Sequence, residues 1–189
     1  MTVDEIFANI NAHMIKGVIL HDEFAEYFDF LGLRGFRCEQ EYHAFSEFCE
    51  RRGLVRYFVN HFGKLIPDNP TANPNVIPSS WRGLTRMQID AAVKKRAVRD
   101  AFVKWREWET ETKKLYEKSY KDLCDIGEVA AAYKIKKLLS DVDAELKGVE
   151  CELINLESIG YDLPSIFLSQ NEINDKYVKK RQLIEVTSC

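Results

Sequence analysis

Proline placement constrains this chain more than any other feature. Four of its five prolines fall within residues 63–84, GKLIPDNPTANPNVIPSSWRGL, and the fifth is Pro164. A proline inside a helix removes a backbone hydrogen bond and clashes with the preceding turn. The chain on either side of 63–84 is therefore free to form long unbroken helices, and its apolar residues recur with helical period. Ile6, Ile10, Met14, Gly17, Phe24, Phe28 and Leu31 make one stripe, and Tyr42, Phe45, Cys49, Val55, Val59 and Phe62 a second. Ile89, Val93, Val98, Phe102, Trp105, Trp108, Leu115 and Leu123 make a third. Ala132, Ile135, Leu139, Val142, Leu146, Val149, Leu153 and Leu156 make a fourth. This periodicity predicts helices over about 4–31, 36–62, 85–123, 128–159 and 163–185. Asp162 is a candidate cap for the last, with Pro164 in its first turn. No stretch reads as strand, so the fold class is all-α, with 1–189 read as one domain.

Two short joints, one carrying Gly32 and Gly35 and one carrying Gly127, pair the helices into hairpins. The 63–84 segment is too long for a connection between packed neighbours and suits a crossover along a bundle about 40 Å long. With the first turn near residue 34, His21 lies level with Glu47, and His43 shares a helix face with Glu47. With the second turn near 126, Glu109 lies level with Asp143. The crossover puts the two turns at opposite ends, so these levels meet near the middle of the bundle. Carboxylates and imidazoles from four helices at one level form the donor set of a di-metal carboxylate site. His21, Glu26, His43, Glu47, Glu109 and Asp143 are the candidate metal ligands.

Other function classes are excluded or left without support. No phosphate-binding glycine loop or CxxC pair is present, and Ser79–Ser80 lacks the context of a hydrolase nucleophile. The five cysteines are widely spaced and read as reduced, mostly buried small hydrophobes. No apolar run approaches a membrane span, and the acidic N-terminus is unlike a signal peptide, which points to a cytoplasmic protein. Charge is unevenly spread. Residues 1–50 carry ten acids against three Lys/Arg, whereas 82–106 carry eight Lys/Arg against two acids. Within that basic block Lys95, Arg99 and Arg106 share one helical face, widened by Lys94, Arg96 and Lys104.

The topology across residues 4–160 resembles the ferritin-like superfamily: a four-helix bundle with a long crossover between helices 2 and 3, here with a fifth C-terminal helix. The joint YFDFLGLRGFRCEQEYHAFSE is similar to the corresponding joint of Dps-type mini-ferritins, and the whole chain resembles ferritin-like proteins of Firmicutes and their prophages. That resemblance implies iron or manganese bound mid-bundle, ferroxidase chemistry, a homo-oligomer, and DNA bound through a Lys/Arg surface that neutralises phosphates. The sequence departs from the family's Glu-x-x-His motifs. The second helix offers Gln40-x-x-His43 and the fourth Glu145-x-x-Gly148. The departure supports an alternative expectation, a metal-free ferritin-like scaffold that binds a protein or nucleoprotein partner, such as a prophage-encoded regulator or inhibitor.

Overall fold

A computed structural model describes residues 1–67, 74–81 and 84–187. Five helices make up the fold: α1 (Val3–Leu31), α2 (Arg34–Phe62), α3 (Ala91–Asp125), α4 (Val129–Ser158) and α5 (Leu163–Thr187). Among the described residues there is no strand, and no helix is long and apolar enough to cross a membrane. Thr2 and Glu5 form a reciprocal capping box at the start of α1. Gly32, at φ 79°, ends α1 in the left-handed conformation that glycine adopts without strain. The Asp162 side chain caps α5 by accepting from the Ser165 N–H at 3.0 Å.

One helix begins later than its periodicity predicts. The stripe includes Ile89, but Arg86–Gln88 is a separate 3-10 turn, and α3 starts at Ala91. Asp90 decides this start, because its carboxylate accepts from the Val93 N–H at 2.8 Å and so serves as the N-cap.

Helices α1 and α2 pack as one hairpin and α3 and α4 as another; α1 also packs on α3, and α5 runs along α2. The crossover does span the bundle. At one end Lys64 bonds Asp4 at 2.6 Å; at the other the Val76 N–H donates to Glu23 and Trp81 stacks on Tyr27. From Asp4 to Tyr27 along α1 is about 35 Å. Residues 68–73 and 82–83 of this segment lie outside the described residues, Arg82 of the basic block among them.

The core is interrupted. One apolar cluster gathers Phe24, Phe28, Phe36, Phe102, Leu153 and Ile166 toward the α1–α2 joint. The other gathers Phe7, Ile10, Leu54, Phe58, Leu123 and Ile135 toward the α3–α4 joint. The polar layer described below lies between them. The cysteines depart from expectation: Cys124 and Cys151 are exposed free thiols, Cys38 is buried and free, and Cys49 is disulfide-bonded. Cys189 lies outside the described residues.

Gly35 does not loosen the first joint. It sits inside α2, where a Cβ would stand 2.5 Å from the Gln170 carbonyl oxygen and 2.9 Å from the Ile173 Cβ of α5. The missing side chain lets α5 reach the start of α2. There the Gln170 side-chain oxygen accepts from the Gly35 and Phe36 N–H groups at 2.9 and 3.1 Å. Leu33, the N-cap residue of α2, has no side-chain hydrogen bond to offer, so α5 caps α2 from outside. Gln170→Ala should strand two buried N–H donors and lower stability by roughly 1–3 kcal/mol. Urea unfolding measures this; a loss below about 0.5 kcal/mol, the range of a neutral surface change, would remove the cap from the account.

Candidate functional site

Helix rotation selects which polar side chains enter the gap between the two apolar clusters. His21 of α1 is fully buried, as is Glu109 of α3, while His43 and Glu47 of α2 are each 7% exposed. Glu145 of α4 and Glu50 of α2 are half-buried beside them. The layer thus gathers four carboxylates and two imidazoles from all four bundle helices. Its histidine rings lie 5.4 Å apart, with the Trp105 indole edge-on to both.

The hydrogen bonds fix protonation states. His21 Nδ1 donates to Gln40 Oε1 at 2.8 Å. Burial first, then neighbouring His43, pushes the His21 pKa down to about 4, so the ring is neutral near pH 7 and its Nε2 carries a lone pair. That Nε2 is buried, has no hydrogen-bond partner among the described residues, and lies 3.8 Å from Glu109 Oε1. The Trp105 N–H donates to the same Glu109 oxygen at 2.9 Å, leaving Glu109 Oε2 unpartnered. Glu47 Oε2 is likewise buried without a partner. Across the layer, His43 Nδ1 meets Glu145 Oε1 at 3.3 Å.

Crowded carboxylates in a dry setting hold their protons. Burial and the nearby acids Glu50, Glu145 and Glu109 push Glu47 well above the usual carboxylate range, and burial with Glu145 does the same to Glu109. Glu50 is pushed up to about 8 by burial and by Glu145 and Asp141. Glu145 runs the other way: burial opposes its charge, but the hydrogen bond and charge of His43 outweigh it and hold it low.

Gly17 is the niche that admits Glu47. A Cβ there would stand 3.1 Å from Glu47 Oε1 and 3.3 Å from the Trp108 ring. Just beyond, His13 stacks on Trp108 at 4.0 Å and bonds Thr112 at 2.7 Å, and its pKa is also pushed down to about 4 by burial.

Of the expected ligands, the structure brings together His21, His43, Glu47 and Glu109 but leaves out two. Glu26 is exposed on the outer face of α1, because five residues from His21 is about 140° around the helix. Asp143 turns outward to bond Lys113 at 2.7 Å, and Glu145, two residues and about 200° further round, points in instead. Glu50 was not anticipated, although the spacing Glu47-x-x-Glu50 puts it one helical turn along the face that already holds His43. Glu145 stood out as the carboxylate of the fourth-helix Glu145-x-x-Gly148 match but was not among the expected ligands. The basic residues Lys94, Lys95, Arg96, Arg99, Lys104 and Arg106 lie exposed or half-buried along α3. Arg99 and Arg106 lie near Tyr161, and Lys95 lies near Asp162, so this part of the basic face borders the α4–α5 joint.

The donor types suit iron or manganese, which take carboxylate oxygen and imidazole nitrogen. The bare His21 Nε2 and the orphaned oxygens of Glu47 and Glu109 are ligand atoms without partners. Among the described residues, however, no three His, Cys, Asp or Glu side chains stand at metal-holding spacing.

No protein-family model matches the sequence, and no curated protein does. The fold does match solved structures. An open-pore ferritin from the hyperthermophilic archaeon Archaeoglobus fulgidus superposes with a TM-score of 0.73 at 18% identity, covering 90% of this chain and 93% of that one. A closed form of that ferritin, engineered by site-directed mutagenesis, gives 0.75 at 18% identity over 92% and 96%. A humanized archaeal ferritin gives 0.74 at 18% identity over 90% and 94%. The chain therefore has the ferritin-like four-helix-bundle fold.

The buried acids set a pH dependence. Glu47, Glu50 and Glu109 have raised folded pKa values, so above about pH 4.5 the folded chain keeps protons that the unfolded chain releases, and stability falls as pH rises. His13 and His21, held near 4 against 6.5, act oppositely, but only below about pH 6.5. Above about pH 6.5 those two histidines no longer contribute, and the raised carboxylates still do. Chelator-treated protein should lose melting temperature between pH 6.5 and about 8, and Glu50→Gln should flatten the loss; a melting temperature that rises across that window would refute the assignment.

Proposed function

We propose that this ferritin-like protein binds iron or manganese in its mid-bundle layer. The observation that supports the reading best is the His21 tautomer. Gln40 Oε1 accepts the hydrogen bond of Nδ1–H, which leaves Nε2 as a bare, buried lone pair beside Glu109; outer hydrogen bonds of this kind orient metal-ligating histidines. His21, Glu47 and Glu109 would hold the metal through their unpartnered atoms, with His43, Glu50 and Glu145 completing the donor set. A redox-active metal held there would supply one-electron chemistry inside the bundle, the basis of a ferroxidase-type activity. Cation charge would also replace the protons that the crowded carboxylates now retain. Assembly into a homo-oligomer and the Dps-type affiliation belong to the same reading. The basic residues of α3 do not enter it.

A second reading is a metal-free scaffold that acts through a partner. It draws on the contacts by which the layer satisfies itself, His43 with Glu145 and Trp105 with Glu109, and on the absence of a three-ligand grouping among the described residues. Elemental analysis separates the two. Protein purified without a metal-binding tag and loaded with Mn²⁺ should retain it through desalting, and Glu47→Gln with Glu109→Gln should abolish retention while leaving the helical circular dichroism intact. Retention by the double variant equal to the original would dismiss the site, and no retention by the original would favour the scaffold.

A further inference from the structure

The polar layer is not sealed. A cavity of about 370 Å³ opens between α2, α4 and α5, and His43, Trp105 and Glu145 form its inner wall. Gly148, one helical turn beyond Glu145, lies on the same wall, and a Cβ there would meet nothing within 4 Å. Any side chain at 148 would narrow the opening. Glu39 lines the cavity too; it is 2% exposed, lies near Tyr177, and has its Oε2 unpartnered. An unpartnered buried carboxylate oxygen on the way to the layer marks the cavity as a route for something polar.

The mouth carries the opposite charge. The Lys180 ammonium of α5 lies 5.5 Å from the Tyr42 ring centre and 4.8 Å from that of Tyr177, held by the faces of both rings. Lys176 sits 4.9 Å from the Tyr177 ring on the same helix. An ammonium at the mouth of a low-dielectric passage raises the energy of any approaching cation, and a divalent ion feels twice the repulsion of a monovalent one.

We propose that this cavity is the route by which cations reach the polar layer, and that Lys180 is the residue that determines which charges pass. The inference rests on the metal reading for its purpose but not for its test. A second cavity, of about 470 Å³, opens over Glu50 and Asp141 and carries Lys134 and Lys137. It is the competing route, and Gly53 lies on its wall as Gly148 does on the first.

The experiment uses the full chain, with tryptophan emission as readout; Trp81 and Trp108 are a background common to all variants. Caesium, a cationic quencher, probes the cavity without any metal site. Lys180→Gln should raise quenching by caesium severalfold and leave quenching by neutral acrylamide unchanged, whereas Lys180→Arg should match the original. Gly148→Leu, which improves helix propensity and so favours folding, should lower both. In stopped flow with Mn²⁺, Lys180→Gln should speed uptake about tenfold, Gly148→Leu should slow it, and Gly53→Leu should leave it unchanged. Caesium quenching that ignores Lys180 overturns the charge selection, and slowing by Gly53→Leu without slowing by Gly148→Leu overturns the route. Should the original chain take up no Mn²⁺, the metal reading fails, and the caesium result alone decides this one.

Discussion

Ionised carboxylates lose hydration when a bundle closes around them, and that cost organises the middle of this protein. Glu47 and Glu109 are buried among apolar clusters with further acids beside them, so neither ionises at its ordinary pH. The layer meets the problem in three ways. Glu47 and Glu109 retain protons, Glu145 keeps its charge against His43, and the Trp105 N–H turns to one oxygen of Glu109. Each solution spends stability that an apolar layer of the same size would not require. A fold whose two ends already hold ample apolar contact tolerates such a layer; a smaller one would not.

The surrounding structure holds those groups in place through backbone proximity. Gly17 lets Glu47 and Trp108 approach α1, and Gly35 lets α5 reach the start of α2. The second contact bears on the first helix face as well. Gln170 caps α2 only four residues before Glu39 and eight before His43, and the Tyr177 ring then packs on Tyr42 and His43, so α5 seats the turns of α2 that carry His43 and Gln40. Gln40 in turn sets the His21 tautomer. The protonation state of a residue on α1 is therefore connected, through two side chains, to the seating of α5.

Much of this was legible in the sequence. The proline cluster and four apolar stripes specify helix number and order, because periodicity and the exclusion of proline from helices are local properties. Gly32 is legible for the same reason: a left-handed cap requires little beyond its own residue. What escaped depends on rotation about a helix axis, where one residue is about 100°. Counting residues from a turn put Asp143 at the correct height and on the wrong side, and favoured it over Glu145, which the motif comparison had singled out. Gly35 escaped for a different reason. Its role lies in contact with α5, some 135 residues away in sequence, and no local pattern distinguishes a glycine that permits a close approach from one that permits a turn. The third helix shows local chemistry overriding periodicity, since Ile89 continues the stripe but the Asp90 carboxylate accepts the free Val93 N–H and sets the start.

The seam between α2 and α4 joins these threads. Most of the layer's acids, Glu47, Glu50 and Glu145, come from those two helices, and α2 and α4 are not among the closely packed pairs. Carboxyl groups on facing helices offer little apolar surface to pack together, and the seam that carries the acids is one the bundle leaves loosely closed. Gly148 leaves that seam open where a side chain would cover it, and α5 lies along one side with Lys176, Lys180 and the Tyr177 ring lining the gap. A positively charged strip over a seam of acids stabilises the acids from outside without filling the space between them. The arrangement that makes the layer tolerable in the absence of a bound cation is the same one that governs how a cation approaches it.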